Sequence, residues 1–297
     1  MIDYKLLEAL AMVILEHGFE KAAHKLHLTQ SAISQRVKLL EEQTGQVLLI
    51  RDTPPRATSA GRRLLKHYLQ VKRLEDDLLQ FSKTASKDQF ASISIGVNED
   101  SLDLWFFDAI RPFLSAENVV LDLKVDDQEQ THGFLKNGEV VGCISSKDQT
   151  MQGCRLTYLG SMKYHLMATG EFSNKWFKDG LGRNNLIKAP AVIFSRKDDL
   201  HNKICRRLLG ETIPIANAFY IPSSVKFFDL IASGFAYGMV PHLQGMELLK
   251  SGRLIDLAPH CQICVDLYWH CWNLKSPLLE KLTDTLVRGA KLALKTN

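Results

Sequence analysis

The stretch LHLTQSAISQRVKLLE, residues 26–41, constrains the fold of this chain more than any other segment. At 100° per residue, Ile33, Val37 and Leu40 fall on one narrow stripe and must face a core. The opposite side carries Ser, Gln and a few cations, whereas an ordinary surface helix is covered by Glu and Lys. The segment therefore predicts a helix whose exposed face is built to contact a polar partner.

Two shorter helices are predicted before this one. DYKLLEALAMVILEHG has apolar residues at helical spacing up to Gly18, and FEKAAHKL places the small residues Ala22 and Ala23 inward. His27 lies at the following turn, where the backbone is often left-handed and His is tolerated, and Thr29 can cap the next helix. Two short helices joined by a tight turn predict a helix-turn-helix, and the alternative is an ordinary amphipathic helix.

The exposed face of the third helix and the segment after it offer groups suited to DNA. Gln can pair with adenine edges, Ser can contact bases or phosphates, and Lys can reach guanine or backbone oxygens. Residues 48–51 and 56–58 are predicted to form a two-stranded wing that brings arginines near the phosphates or the minor groove. The predicted DNA-binding residues are Thr29, Gln30, Ser31, Ser34, Gln35, Arg36, Lys38, Arg51 and Arg56.

The charge of the chain is concentrated near its amino terminus. Residues 21–73 hold eleven Lys and Arg against three acids, a net charge of +8, and because the whole chain is +4 the remainder is −4. This distribution is typical of a nucleic-acid-binding head joined to a separate body. A basic face that is merely solvated is the alternative.

A long helix is predicted from Ser59 to about Ser86, because the segment has no proline and no glycine after Gly61. The apolar stripe follows the four-then-three spacing of a coiled-coil seam at Leu64, Tyr68, Val71, Glu75 and Leu78, widened by Leu65, Leu69 and Leu79. Such a stripe needs a partner, most simply the same helix of a second copy. We therefore expect a homodimer that recognises a two-fold symmetric site on double-stranded DNA.

The head resembles that of LysR-type transcriptional regulators, whose pattern is an AA-x-x-L helix, a T-Q-[SP]-A-[IV]-S recognition helix, L-E-x-x-x-G and a wing ending in T-x-x-G. Within this family the chain is similar to the ArgP/LysG branch, regulators of basic amino-acid export that are also described as inhibitors of chromosome replication initiation. The fragments that carry this likeness are VNEDSL (97–102), GEVVG (138–142), RKDDLH (196–201), GMVPHLQ (238–244), GRLIDL (252–257) and LYWHCW (267–272).

The resemblance implies a DNA-binding transcriptional regulator that senses a small effector, an amino acid such as lysine or arginine. It also implies a homodimer or homotetramer, with RNA polymerase as a candidate partner. The alternative function is a ligand-independent architectural DNA-binding protein that inhibits replication initiation.

The body alternates predicted strands, such as SISIGV, VVLDLKV and VVGCIS, with helices, and this order predicts parallel βαβ units. The resemblance implies two α/β lobes similar to periplasmic binding proteins, joined by strands that cross near Tyr164 and Val265. The predicted fold is thus an α/β protein with a winged helix-turn-helix head. Its predicted parts are the head (1–58), a linker and dimerisation helix (59–88) and an effector-binding domain (89–297), with lobe I at 89–163 and 266–297 and lobe II at 164–265.

An effector site is predicted at the carboxyl ends of strands, where helix amino termini offer N–H groups to a carboxylate and where Asp side chains could hold amino groups. The candidate residues are Asn98, Ser101, Asp126, Asp127, Ser145, Asp198, Asp199, Ser223 and Ser224. The alternative is that these residues only form caps and turns. Val225 and Lys226 stand where the branch has an acidic residue, and a cation there would repel a cationic ligand.

The sequence lacks a P-loop, G-x-G-x-x-G after a strand, H-E-x-x-H and G-x-S-x-G, so we predict no enzyme and no cofactor. HCQICVDLYWHCW could supply zinc ligands, but it lacks a second pair, and we predict no metal. No window approaches the apolar length of a membrane span, and no export signal is evident. We therefore expect a cytoplasmic protein with reduced cysteines and no membrane contact.

Overall fold

The computed structural model describes residues 3–81, 90–126 and 131–294. Its head contains three helices and a two-stranded wing, as predicted. Their bounds are α1 (Tyr4–Leu15), α2 (Phe19–Lys25), α3 (Gln30–Thr44), β1 (Leu49–Ile50) and β2 (Arg56–Ala57). The wing strands are shorter than predicted, since Arg51 and Thr58 lie outside them.

The stripe of α3 faces the core of the head, as predicted. Ile33, Val37 and Leu40 are fully buried, and they pack with the aliphatic side of α1 and the alanines of α2. His27 has a left-handed backbone with φ of 54°, and Thr29 Oγ1 accepts a hydrogen bond from the N–H of Ala32 at 3.2 Å. The predicted turn and cap are therefore confirmed, and together they fix where α3 begins.

The end of the wing requires glycine at position 61. Thr58 Oγ1 donates to the carbonyl of Val47 at 2.8 Å and accepts from the N–H of Gly61 at 3.1 Å. A Cβ at Gly61 would lie 2.1 Å from the carbonyl oxygen of Leu48. A side chain there would force the wing and the next helix apart, which explains the T-x-x-G pattern physically.

The long helix α4 spans Ser59–Phe81, and the rest of its predicted length lies outside the described residues. The prediction that its apolar stripe faces a second copy is wrong for Leu65 and Tyr68. Both are at most 3% exposed within the core of the head, because α1 of the same chain covers them. Leu78, further along the helix, is 70% exposed.

Another side of α4 contacts the body. Leu69 packs against a cluster that includes Cys154 and Trp272, and the neighbouring Arg73 and Asp77 form a buried ion pair. Because Leu69, Arg73 and Asp77 are spaced four residues apart, they share one face of the helix. Helix α4 is thus attached to lobe I by the apolar contact of Leu69.

The first half of the body forms lobe I and continues into a long strand. Its elements are β3 (Ala91–Val97), α5 (Glu99–Ser101), a π-helical turn (Leu102–Phe106), α6 (Phe107–Ala116), β4 (Val119–Val125), α7 (Thr131–Lys136), β5 (Gly142–Ser145) and β6 (Cys154–Ala168). Strand β3 pairs in parallel with both β4 and β5, which confirms the predicted βαβ arrangement.

The second half forms lobe II and returns to lobe I. Its elements are α8 (Gly170–Trp176), α9 (Arg183–Lys188), β7 (Ala191–Ile193), α10 (Leu200–Leu209), β8 (Ala218–Tyr220), α11 (Ser224–Ala232), β9 (Gly238–Pro241), α12 (His242–Lys250), β10 (Ile255–Asp256), β11 (Ile263–Trp272) and α13 (Pro277–Ala293). Strands β7 and β8 are parallel neighbours.

Two long antiparallel strands, β6 and β11, run through both lobes. The main sheet has the order β10-β6-β11-β5-β3-β4, and β9 also pairs with β6. At Tyr164, β6 passes from its pairing with β11 to its pairing with β9. The protein therefore has the two-lobed α/β architecture that the sequence predicted. No helix in the described part of the chain has the length and apolar character needed to cross a membrane.

Candidate DNA interface and ligand cavity

The polar face of α3 points away from the protein. Ser31, Gln35 and Lys38 are exposed, as are Thr29 and Gln30 at the start of the helix. Two further predicted residues, Ser34 and Arg36, are partly exposed at the edges of this face. The structure therefore brings the predicted set together on one open surface while the apolar side anchors the helix.

The side-chain contacts within the polar face of α3 are weak, so contacts with DNA can replace them. Thr29 Oγ1 and Ser31 Oγ are 3.0 Å apart, and Lys38 Nζ lies 3.7 Å from Glu42 Oε1. The side chains of Lys38 and Glu42 are 71% and 60% exposed, and an ion pair this exposed contributes little. Lys38 can therefore leave Glu42 for a phosphate or a base edge.

The wing is held beside α3 by a residue that sequence reasoning missed. Glu41 Oε1 accepts hydrogen bonds from the N–H groups of Leu48 and Leu49 at 2.8 and 3.3 Å. Beyond this link Arg51 and Arg56 are exposed, and Arg56 Nε is 3.1 Å from Asp52 Oδ2. Glu41 is the glutamate of the L-E-x-x-x-G pattern. Its fixed position in that pattern, shortly before the wing, was the signal that could have identified it.

A cavity with about 470 Å³ of empty space, including the part open to solvent, lies between the two lobes. Lobe I and the crossing strand supply most of the polar groups, and lobe II supplies much of the apolar wall. The lining residues are Asn98, Glu99, Asp100, Asp126, Tyr164, Phe194, Asp198, Leu200, Ser224, Phe227, Met239, Pro241 and Gln244. Four of these are carboxylates and none is a cation, so among the described residues the lining suits a positively charged ligand with an aliphatic stem.

Asp100 lies at the point where the two lobes meet. The hydroxyl of Tyr164 donates to Asp100 Oδ2 at 2.6 Å. Although part of the residue faces the cavity, its carboxyl is surrounded by protein, and burial raises its pKa to about 6. The tyrosine hydroxyl opposes this rise in pKa, while the negative charges of Asp198, Glu99 and Asp103 add to it.

Asp198 contributes from lobe II. Its carboxylate accepts the N–H of Leu200 at 2.9 Å and the N–H of Phe194 at 3.4 Å, so it also shapes the loop before α10. Burial raises the pKa of Asp198, and the two backbone hydrogen bonds oppose that rise. Because Asp100 and Asp198 belong to different lobes, a cation between them would bind to both.

The amino terminus of α11 meets lobe I at Ser224. The backbone N–H of Ser224 donates to Glu99 Oε1 at 2.8 Å, and its hydroxyl donates to Asp103 Oδ2. Burial raises the pKa of Glu99, the hydrogen bond from Ser224 lowers it, and the nearby charge of Asp103 raises it. Two carboxylates of lobe I thus bind one residue of lobe II.

Several predicted effector residues line this cavity. The structure places Asn98, Asp126, Asp198 and Ser224 around it. The Oδ1 atom of Asn98 is buried and has no hydrogen-bond partner within the described part of the chain, so it is available to a ligand. Asp127 was also predicted, and it lies outside the described residues.

Other predicted effector residues are not part of the lining. Ser101 is fully buried, and Ser145 is buried and accepts the N–H of Lys147. Asp199 accepts hydrogen bonds from the side chains of Asn202 and Arg206. Ser223 caps α11. At Ser145 and Ser223 the structure shows the turn and cap roles that were the alternative interpretation. The side chain of Asp199 makes no cap hydrogen bond, although this residue precedes α10.

Sequence reasoning missed Glu99 and Asp100, the two carboxylates next to Asn98. They begin the helix directly after β3, so the strand-end rule that selected Asn98 and Ser101 also applied to them. The expected repulsion by Lys226 does not arise at the cavity. Lys226 is not among its lining residues, and its Nζ pairs with Asp229 Oδ2 at 2.9 Å on the exposed side of α11.

The described residues contain no group of three His, Cys, Asp or Glu that could hold a metal ion. A short array does occur behind the cavity, where His165 Nδ1 is 2.7 Å from Asp256 Oδ2 and His165 Nε2 is 3.2 Å from His242 Nδ1. All six cysteines are free thiols.

Known proteins resemble the chain in both sequence and fold. The family described as bacterial regulatory helix-turn-helix protein, lysR family, matches residues 4–62. The chain is 38% identical to the HTH-type transcriptional regulator ArgP of Photobacterium profundum over 293 residues, which cover 99% of this chain and 98% of that relative.

Two solved structures extend this similarity to the whole fold. The crystal structure of ArgP from Mycobacterium tuberculosis has a TM-score of 0.89 at 32% identity and covers 100% of both chains. Full-length LysG from Corynebacterium glutamicum with bound effector Arg has a TM-score of 0.82 at 29% identity and covers 99% of this chain and 100% of that one.

Proposed function

Because the chain belongs to the LysR family of bacterial helix-turn-helix transcriptional regulators, and to its ArgP/LysG branch, we propose that it is a cytoplasmic regulator controlled by a basic amino acid. Arginine is the first candidate ligand, since it is the effector of the LysG structure. Lysine is the second, because it offers the same α-amino and α-carboxyl groups with a cationic side chain.

The cavity between the lobes is the observation that carries this proposal. A basic amino acid has two positive groups and one carboxylate, and the lining offers Glu99, Asp100, Asp126 and Asp198 together with the amino terminus of α11. Phe194 and Phe227 supply apolar wall for the aliphatic stem. An anionic ligand would meet four carboxylates and no cation among the described lining residues, which argues against it.

We propose that Asp100 and Asp198 bind the cationic side chain from opposite lobes. Their separation depends on the angle between the lobes, so a bound cation favours the closed arrangement by removing their mutual repulsion. This ligand dependence favours a responsive regulator over the alternative of a ligand-independent architectural protein, for which a carboxylate-lined cavity has no use.

The exposed polar face of α3 and the wing support the proposal that the chain regulates transcription by binding DNA. Residues 1–58 would bind DNA through α3 and the wing, residues 59–88 would join two copies, and residues 89–297 would hold the ligand. Leu78 remains exposed on α4, and a second copy of the helix would cover it. A dimer would present two copies of α3 to a two-fold symmetric promoter site, with RNA polymerase as the further partner and a tetramer as the larger assembly.

Calorimetric titration with arginine, lysine and citrulline tests the ligand proposal. Citrulline has the shape of arginine but an uncharged side chain, so we expect arginine to bind at least about tenfold more tightly, as a buried charge pair requires. Equal affinities for arginine and citrulline, or binding of none of the three, would contradict the proposal.

A gel-shift series on the protein's own promoter tests the regulatory part. Arginine should change the affinity for the promoter or the mobility of the complex, and citrulline should change neither at the same concentration. A complex that forms equally well with and without arginine and lysine would favour the architectural alternative.

A further inference from the structure

The carboxylate of Glu99 lies at the position where the proposed ligand needs its own carboxylate. Its Oε1 atom accepts the N–H of Ser224, the first residue of α11, at 2.8 Å. Helix α11 has nine residues, and its free N–H groups and dipole favour a negative charge at this end. In this structure that charge comes from lobe I, through Glu99.

In the described ranges, Glu99 has no cationic partner that would hold it elsewhere. Among the described residues no Lys, Arg or His forms an ion pair with Glu99 or with Asp103, which binds the hydroxyl of Ser224. Glu99 and Asp103 are one helical turn apart, and their like charges repel. The hydrogen bond to Ser224 is therefore the favourable interaction that keeps the Glu99 carboxylate in this place.

A neighbouring residue indicates that a ligand reaches this place. Asn98 is 2% exposed and lines the same cavity, and its Oδ1 atom has no hydrogen-bond partner among the residues that the structure describes. A buried amide oxygen without a donor is costly unless a ligand supplies one. The α-ammonium group of an amino acid carries three donors and would satisfy both Asn98 and a displaced Glu99.

We propose that Glu99 is a built-in substitute for the ligand's α-carboxylate, which the ligand displaces from the N–H of Ser224 and which then binds the ligand's α-ammonium group. This inference rests on the proposed function, because it assumes an amino-acid ligand. Glu99 then has two roles. It links the two lobes when the cavity is empty, and it competes with any carboxylate that enters.

The competition can be measured with a ligand that has a carboxylate but no α-ammonium group. 5-Guanidinopentanoate is arginine without its α-amino group. Glu99 competes with its carboxylate for the N–H of Ser224 and has no ammonium group to bind instead. Replacing it by the neutral isostere in Glu99→Gln should therefore tighten binding by about 2- to 30-fold, the range expected for a charge at a helix amino terminus. Agmatine, which is arginine without its carboxylate, should bind no more tightly to this variant than to the unchanged protein.

Glu171→Gln is the matched control, because Glu171 is an exposed acid in the first turn of α8, outside the cavity lining. It should leave the affinities for both probes unchanged. Unchanged or weaker binding of 5-guanidinopentanoate to Glu99→Gln would overturn the inference, and so would an equal gain for agmatine. If arginine binds the unchanged protein but Glu99→Gln does not bind 5-guanidinopentanoate more tightly, only this inference is contradicted. If arginine does not bind the unchanged protein, the proposed function itself is contradicted.

Discussion

Arginine affinity should depend on pH through Asp100. Burial raises the pKa of this carboxyl to about 6, so below that pH it is largely protonated in the ligand-free protein and cannot pair with a cation. A bound guanidinium favours the ionised form, and arginine's own charges do not change between pH 5 and 7.5. Binding must therefore release a proton at low pH, and affinity must fall as the pH falls.

The size of the effect follows from the pKa. For one group with a pKa of about 6 that must be ionised in the complex, the dissociation constant at pH 5 is about tenfold larger than at pH 7.5. Calorimetric titrations in buffers of different ionisation enthalpy measure both the affinity and the proton release. In Asp100→Asn the affinity should be weaker at pH 7.5, and the pH slope should fall by one proton.

The same substitution should stabilise the ligand-free protein. Asp100 binds its proton more tightly in the folded state than the ordinary Asp pKa of 3.8 implies for the unfolded chain, so the ionised carboxylate opposes folding above about pH 6. The difference of roughly two pKa units corresponds to at most about 3 kcal/mol at pH 7.5. The gain in the free energy of unfolding of Asp100→Asn should disappear as the pH falls from 6 towards 3.8.

Thermal and urea denaturation of the unchanged protein, Asp100→Asn and Asp108→Asn measure this gain. Asp108 is the control because its side chain is 74% exposed on α6. An arginine affinity that is constant between pH 5 and 7.5 would refute the reasoning, as would the same pH slope in Asp100→Asn. Reduced stability of Asp100→Asn at pH 7.5 would show that the carboxylate is needed for folding rather than for the ligand.

Two further predictions concern the head. Gln35→Ala should weaken binding to the cognate promoter by about 5- to 100-fold in a gel shift with no change in melting temperature, because the side chain is exposed, and Gln43→Ala near the end of α3 should have a smaller effect. Gly61→Ala should reduce the free energy of unfolding of the head by about 1–3 kcal/mol or more, since its Cβ would lie 2.1 Å from a backbone oxygen. Gly133→Ala lies in α7 of lobe I, with no atom within 4 Å of the added Cβ, and should be neutral or stabilising when the same full chain is denatured. An equal loss in both glycine variants would contradict the packing argument.

Local patterns in the sequence were sufficient to predict most of the fold. The spacing of Ile33, Val37 and Leu40 fixes which side of α3 is buried, and the polar side is then exposed by necessity. Thr29 and His27 act within one turn of their own positions, so no knowledge of distant residues was needed to place them. The parallel strands β3, β4 and β5 followed from the same local reasoning.

Tertiary contacts explain what the sequence did not reveal. The stripe of α4 was compatible with a second copy or with the same chain, and only the position of α1 shows that Leu65 and Tyr68 are covered from within. Glu99 binds Ser224, which is 125 positions away, so neither residue alone indicates the contact. Strand ends identify the region of a site, but the folded chain decides which side chains turn into it and which cap a helix.

The position of the cavity provides a physical route from ligand to DNA. Its carboxylates come from both lobes, so the relative position of the lobes determines how strongly Asp100 and Asp198 repel each other. Lobe I is attached to α4 through Leu69, and α4 continues from the wing. A rotation of lobe I that relieves or restores the repulsion must therefore turn α4 or break the apolar contact between Leu69 and lobe I. Because separating packed apolar side chains would expose them to water, turning α4 is the favoured response, and in a dimer it would change the distance between the two copies of α3.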